Sequence, residues 1–204
     1  MSAPMEANVM EFLVEMTTQV PAGTTEAAVD DIRTREAARA RELIADGNLL
    51  RLWRPPLAPG EWRTFGLFAA PDEVALQQVL ASMPLHIWRA DKVTPLGPHV
   101  NNPATPTSHN PDAQQFFTTF TVTIPSDVDK ATVDATYAAE AQTAAAEAAA
   151  SHLVRLWKLP TTQGFGLWQA TTPADLDAIL NTLPLKPWMH IDTIPLSHHP
   201  SDPV

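Results

Sequence analysis

Phe12, Val14 and Met16 fall at every second position of residues 10–16, the period of a half-buried strand, and the pattern runs out at Val20-Pro21. The period then changes. Thr24-Thr25-Glu26 can open a helix, and Val29, Ile32, Glu36, Ala40 and Leu43 form one stripe that Gly47 stops. A second strand, Leu49-Leu50-Arg51-Leu52-Trp53-Arg54, ends at the proline-dense loop 55–60, where missing N–H donors preclude a sheet ladder. Residues 62–69 read as a third strand. Pro71-Asp72-Glu73 opens a second helix carrying Val74, Leu76, Val79 and Leu80, with acids at the positive end of its dipole. Residues 86–96 close the series as a last strand. The order is strand, helix, strand, strand, helix, strand, the split βαβ arrangement of a ferredoxin-like domain.

The pattern then repeats. Leu49 to Arg54 returns as Leu153-Val154-Arg155-Leu156-Trp157-Lys158, a shift of 104 positions that also relates Val20-Pro21 to Ile124-Pro125 and Glu36 to Glu140. Past this strand the shift falls to 100, because the second copy has a shorter loop: Phe65-Gly66-Leu67-Phe68 answers Phe165-Gly166-Leu167-Trp168, Met83-Pro84-Leu85 answers Leu183-Pro184-Leu185, and His99 answers His199. The second copy is expected to place strands at 115–124, 152–158, 164–170 and 186–196 and helices at 129–150 and 173–181. Its long helix is nearly pure alanine from Ala138 to Ala150, high in propensity and poor in core-filling bulk. The chain therefore divides into a polar lead (1–9), a first domain (10–97), a linker with four prolines (98–113) and a second domain (114–204).

Composition narrows the function. With 45% hydrophobic and 18% charged residues the 204-residue chain is that of a soluble globular protein, and a net charge of -10 without a basic cluster excludes nucleic acid as an expected partner. The absence of cysteine excludes disulfides and thiolate metal sites. No apolar run approaches a membrane span and residues 1–8 lack signal-peptide character, so a cytoplasmic location is the default expectation.

Several strings spread over these elements carry a resemblance. In the first half they are Arg35-Glu36, Glu42-Leu43, Gly47, Leu52-Trp53-Arg54, Met83-Pro84-Leu85 and Val93-Thr94-Pro95-Leu96. In the second they are Leu183-Pro184-Leu185-Lys186-Pro187-Trp188-Met189, Ile191-Asp192, Pro195-Leu196 and His199-Pro200-Ser201. Each half resembles a muconolactone delta-isomerase. The resemblance implies an α+β fold of two tandem ferredoxin-like (βαββαβ) domains forming an intrachain dimeric α/β barrel, a pseudo-dimer open to further homo-oligomerisation. It also implies an activity in aromatic catabolism: a cofactor-independent proton shift in a small unsaturated lactone acid, converting muconolactone to the oxoadipate enol-lactone. The family's Gly-x-Tyr-x-Asn-x-Ser stretch is altered, reading Gly60-Glu61-Trp62-Arg63-Thr64-Phe65-Gly66 here, which puts the substrate or its pose in doubt.

A 1,3 proton shift needs a base and positive charge for the dienolate oxygen. Glu36 lies on the apolar stripe of its helix and Glu140 recurs at the equivalent place, where burial raises a carboxylate's pKa; the competing reading is a buried structural acid tied to a base. Strand alternation puts Leu50, Leu52 and Arg54 on one face and Leu49, Arg51 and Trp53 on the other. Arg54 then points toward Glu36 and Lys158 toward Glu140, to bind a substrate carboxylate, to stabilise the enolate, or simply to neutralise the acid. Trp62, Phe65, Trp88 and Trp188 are candidates for a pocket wall, against the plainer reading of core aromatics. His99, His198 and His199 follow the last strands and His109 sits in the linker; without metal-pair spacing they read as solvated tails, and His190 as a partly buried strand residue. No cofactor and no metal is expected. A second function on the same scaffold is a non-catalytic small-molecule binding or assembly module, and a third, by fold analogy, is a cofactor-free oxygenase.

Overall fold

The computed structural model describes residues 9–105, 107, 110–161 and 163–204; His109 and the lead 1–8 lie outside the described residues. The chain divides into two compact units, the first comprising Met1–Leu96 with His198–Val204 and the second Gly97–Ser197. The first unit is built from β1 (Met10–Thr18), α1 (Glu26–Ala45), β2 (Leu49–Arg54), β3 (Arg63–Ala70), α2 (Glu73–Ala81) and β4 (Arg89–Pro98). Its sheet order is β4-β1-β3-β2, antiparallel throughout, with Phe12 opposite both Phe68 and Pro95. The second unit repeats this with β5 (Gln114–Val122), α3 (Lys130–Ala149), β6 (Leu153–Lys158), β7 (Gly164–Ala170), α4 (Pro173–Asn181) and β8 (Met189–His198), in the order β8-β5-β7-β6.

The helices begin where the sequence predicts. Thr25, Asp72, Asp129 and Thr172 each accept a hydrogen bond from a backbone N–H in the first turn, so one otherwise unpaired donor is satisfied at every helix start. At the far end of α1, Gly47 at φ 74 lets Asn48 N–H donate to the Leu43 carbonyl (2.9 Å) and Gly47 N–H to that of Ile44 (3.1 Å), a Schellman ending. The same turn closes α3, with His152 N–H on Glu147 O (2.8 Å) and Ser151 N–H on Ala148 O (3.0 Å), but here a serine holds the left-handed position at φ 63.

Two expectations are corrected. Strict alternation in β2 separates Leu49 from Leu52, yet both join the core cluster with Phe12, Val14, Leu43 and Phe68, because the register against β3 shifts between Leu49 and Arg51. A bulge absorbs one residue and returns the next leucine to the same face, and β6 does the same between Leu153 and Arg155. The last strands also start later than their apolar pattern indicates. Pro84–Trp88 and Lys186–Trp188 form 3-10 turns, since a proline at the first positions fixes φ and lacks the N–H a ladder needs. Trp88 and Trp188 therefore belong to these turns, where their carbonyls accept from Gln19 N–H and Thr123 N–H, each at 2.8 Å.

The predicted linker is tied down where it is described. Asn102 accepts Leu156 N–H on its side-chain oxygen (2.9 Å) and the Thr107 hydroxyl donates to Leu153 O (2.8 Å). In the first unit Asp202 takes the corresponding part, accepting Leu52 N–H (2.8 Å) and gripping the Arg51 guanidinium at 2.9 to 3.2 Å. Asn102 and Thr107 thus hold the bulged strand β6, and Asp202 the bulged strand β2, each within its own unit. Among the described residues, no helix is long and apolar enough to cross a membrane.

Candidate functional site

Between α1 and the sheet of the first unit lies a cavity of about 980 Å³. Glu36, Arg54 and Trp62 line it, as do Arg33, Arg63, Arg89 and His199. Helix α1 delivers Glu36 because its stripe needs a side chain there and the neighbouring Ile32, Ala40 and Leu43 are buried. Both carboxylate oxygens are held: Leu85 N–H, presented by the 3-10 turn, donates to Oε2 at 2.8 Å, and Arg89 Nη1 donates to Oε1 at 3.2 Å. Arg89, with a side chain only 2% exposed, also grips Asp91 through Nε (2.6 Å) and Nη2 (3.1 Å). Burial raises the Glu36 pKa above its ordinary value of 4.5, a push that exceeds the opposing pull of the Leu85 N–H and the Arg89 charge and is aided by Asp91.

The cation beside Glu36 is therefore Arg89 and not Arg54. Arg54 is solvent-exposed on the cavity wall, at the strand end, and pairs with no carboxylate among the described residues. Its charge is felt by His199, whose pKa is lowered from 6.5 to about 4 by burial first and Arg54 second. Ser201 N–H donates to His199 Nδ1 at 3.1 Å. A backbone N–H can only donate, so Nδ1 is the acceptor and the neutral ring carries its hydrogen on Nε2. The expected solvated tail is instead a half-buried wall of the cavity.

The second unit has a corresponding but different cavity of about 270 Å³ that brings Glu140 and Lys158 together with His99. Leu185 N–H donates to Glu140 Oε2 at 2.9 Å, and burial again raises the pKa. Among the described residues no cation pairs with Glu140, because the position of Arg89 is taken by Met189. His99 is the counterpart of His199, with Asn101 N–H on its Nδ1 (3.1 Å) and its pKa lowered by burial and then Lys158. Phe120, at the place of Met16, lies over Gly164, where a Cβ would sit 1.9 Å from the ring. His190, expected to be partly buried, is exposed beside Asp192 at 3.5 Å.

Phe65, Trp88 and Trp188 line neither cavity. Phe65 is buried in β3 at 6% exposure, and the two tryptophans are half-buried in their turns. Trp62 does line the first cavity, with the Arg33 guanidinium 4.5 Å from its ring centroid, a cation–π contact. Two groups escaped the sequence reading. Arg89 lies on another element from Glu36 and nothing in its local pattern marks it, whereas His199 carried a usable signal, its recurrence with His99 at the repeat spacing.

The chain is similar to proteins of known family and structure. A solved mutant chlorite dismutase from Candidatus Nitrospira defluvii is 11% identical, with a TM-score of 0.61 and coverage of 97% of this chain and 93% of its own. A heme-binding protein from Thermus thermophilus is 10% identical, with a TM-score of 0.60 and coverage of 94% and 92%. These likenesses concern the ferredoxin-like fold. At the sequence level, a muconolactone delta-isomerase of Cupriavidus pinatubonensis (strain JMP 134 / LMG 1197) is 32% identical over 90 residues, which are 44% of this chain and 95% of that one. The muconolactone delta-isomerase family model matches twice, over residues 10–102 and 115–202, each match containing one of the helix-borne glutamates, and the chain belongs to that family as a tandem duplication.

Proposed function

We propose that the cavity of the first unit catalyses a cofactor-independent proton shift in a small unsaturated lactone acid. The observation that carries this is Glu36: a carboxylate of raised pKa, fixed through both oxygens, on the wall of an open cavity that also presents Arg54 and His199. Its ionised form takes a proton from the gamma carbon of the conjugated lactone, whose electron pair passes through the double bond to the carbonyl. The dienolate oxygen that results receives the His199 Nε2–H, a neutral donor that stays neutral far below pH 7. Glu36, now protonated, returns the proton to the alpha carbon, so that no net proton is gained or lost. Arg54 pairs with the substrate carboxylate, a role open to it because Glu36 is held by Arg89.

The altered family stretch supports a substrate or pose of its own within this class. Trp62 and Thr64, two of the three departures, line the cavity together with Gly60, Glu61 and Arg63. The expected intrachain dimeric α/β barrel, with domains at 10–97 and 114–204, is part of the same proposal, and small-angle scattering on the purified chain tests it.

Loss or gain of the conjugated-lactone absorbance, with muconolactone as first substrate, measures the activity. Glu36→Gln is expected to lower kcat by about 10²- to 10⁴-fold, the range for a general base. The same change at Glu140, which lacks a companion arginine, has the smaller effect. Full activity in the double Glu36→Gln, Glu140→Gln variant would overturn the assignment. Since Glu36 must be ionised in the free enzyme, kcat/KM should rise with pH through a pKa above 4.5. The binding-module alternative predicts ligand affinity without turnover of any lactone.

A further inference from the structure

Position by position, the cavity of the second unit has exchanged charge for hydrocarbon. Arg33, Arg89 and Asp91 of the first unit are replaced by Tyr137, Met189 and Ile191, and Thr18 by Val122. All four replacements line the second cavity, with Phe120 and Trp168 completing its wall. One cation remains, Lys158, on the exposed end of β6, and beside it stands His99, whose Nδ1 accepts the Asn101 N–H and whose Nε2 carries the hydrogen of the neutral ring. The cavity's 270 Å³ is nearly twice the roughly 150 Å³ that admits a benzene molecule.

We infer that this second cavity is a binding site for a compact single-ring aromatic monocarboxylate. The ring lies among Phe120, Val122, Trp168, Met189 and Ile191, while the carboxylate meets Lys158 and the His99 Nε2–H. Three features select this class. The apolar wall favours a ligand without polar groups on its body, since each would lose its water unpaired. A single cation matches one negative charge and leaves a second uncompensated. Glu140, held by the Leu185 N–H, favours an aromatic body over a saturated one, because the edge of an aromatic ring is its positive side. The inference goes beyond the isomerase reading and does not rest on it.

Isothermal titration of the full-length chain with benzoate as the probe, at neutral pH, tests the site by heat of binding and not by turnover, so a failed isomerase assignment leaves the result readable. The expected outcome is binding that persists in Arg54→Ala, weakens about tenfold in Lys158→Met, and returns in Lys158→Arg. Ala144→Phe, which fills the cavity from α3, abolishes it. Phthalate, with its second charge, binds more weakly than benzoate. Lys158 is exposed, so its variants fold whatever becomes of Ala144→Phe, and thermal melts confirm this. No heat from benzoate at millimolar concentration overturns the inference. So does binding that Arg54→Ala removes and Lys158→Met spares, which places the probe in the first cavity.

Discussion

His199 shows how a single residue can carry both a structural and a chemical consequence. Its pKa falls from 6.5 in the unfolded chain to about 4 in the folded one, so the unfolded state binds the extra proton first. Stability from this group is complete above pH 6.5 and is lost as the pH falls from 6.5 toward 4. Glu36 and Glu140 act oppositely: their raised pKa values mean that stability drops as pH rises through the region above 4.5. Urea denaturation of wild type and His199→Asn across pH 4 to 7 separates the two, the variant showing the shallower decline on the acid side. A decline of equal slope in both proteins would show that the half-buried His199 does not set the acid limb. Arg89 makes a complementary case. Replacing it by methionine, the residue at position 189, leaves Glu36 and Asp91 buried without their shared cation, at a cost of about 3–5 kcal/mol. The urea midpoint falls accordingly, and the acid limb of kcat/KM moves to higher pH. Glu36 was legible in the sequence because helical periodicity places it on the buried stripe. Arg89 was not, because the Glu36 it meets comes from α1, 53 positions away, and long-range pairing leaves no trace in a local pattern.

At the scale of elements, helices were legible and strand detail was not, for a physical reason. A helix announces itself through caps and a repeating stripe, both local, so α1, α2, α3 and α4 begin within a residue or two of their predicted starts. A bulge depends on what the neighbouring strand does, and Leu49-Leu50-Arg51-Leu52 reads as plain alternation although one residue is absorbed. The start of β4 failed similarly, since a 3-10 turn rich in Leu, Ile and Trp has the apolar content of a strand. That turn matters to function: its Leu85 N–H fixes the proposed base. The helix endings offer a direct test. Gly47 and Ser151 occupy the same left-handed position, but only serine pays the steric penalty of a Cβ there. Ser151→Gly is expected to stabilise the protein by about 1 kcal/mol, a rise of about 2–4 °C in Tm for a chain of this size. Gly47→Ser should lower it by a similar amount, and calorimetry of the two variants checks both signs.

Across the whole molecule, duplication was the plainest message of the sequence, and its consequence for the chain's last residues was the least plain. Polar, proline-bearing tails look solvated because nothing in their own composition requires burial. Residues 198–204 nevertheless belong to the first unit, where Asp202, 2% exposed at its side chain, binds Arg51 through two oxygens and caps Leu52 N–H. The same segment places His199, Pro200 and Ser201 on the wall of the first cavity. Asp202→Ala removes the carboxylate from a guanidinium whose side chain is 14% exposed and uncovers a strand N–H, which should cost about 3 kcal/mol or more. Because the segment also carries His199, activity should fall beyond what reduced folding explains. Asp202→Asn separates the two effects. It retains an oxygen for Leu52 N–H and so holds the segment in place, while giving up the charge that Arg51 meets. Stability should therefore be intermediate, with kcat close to wild type wherever the protein is folded. Turnover in Asp202→Ala that matches wild type per folded molecule would show that the segment only braces β2, and that His199 takes no part in the reaction.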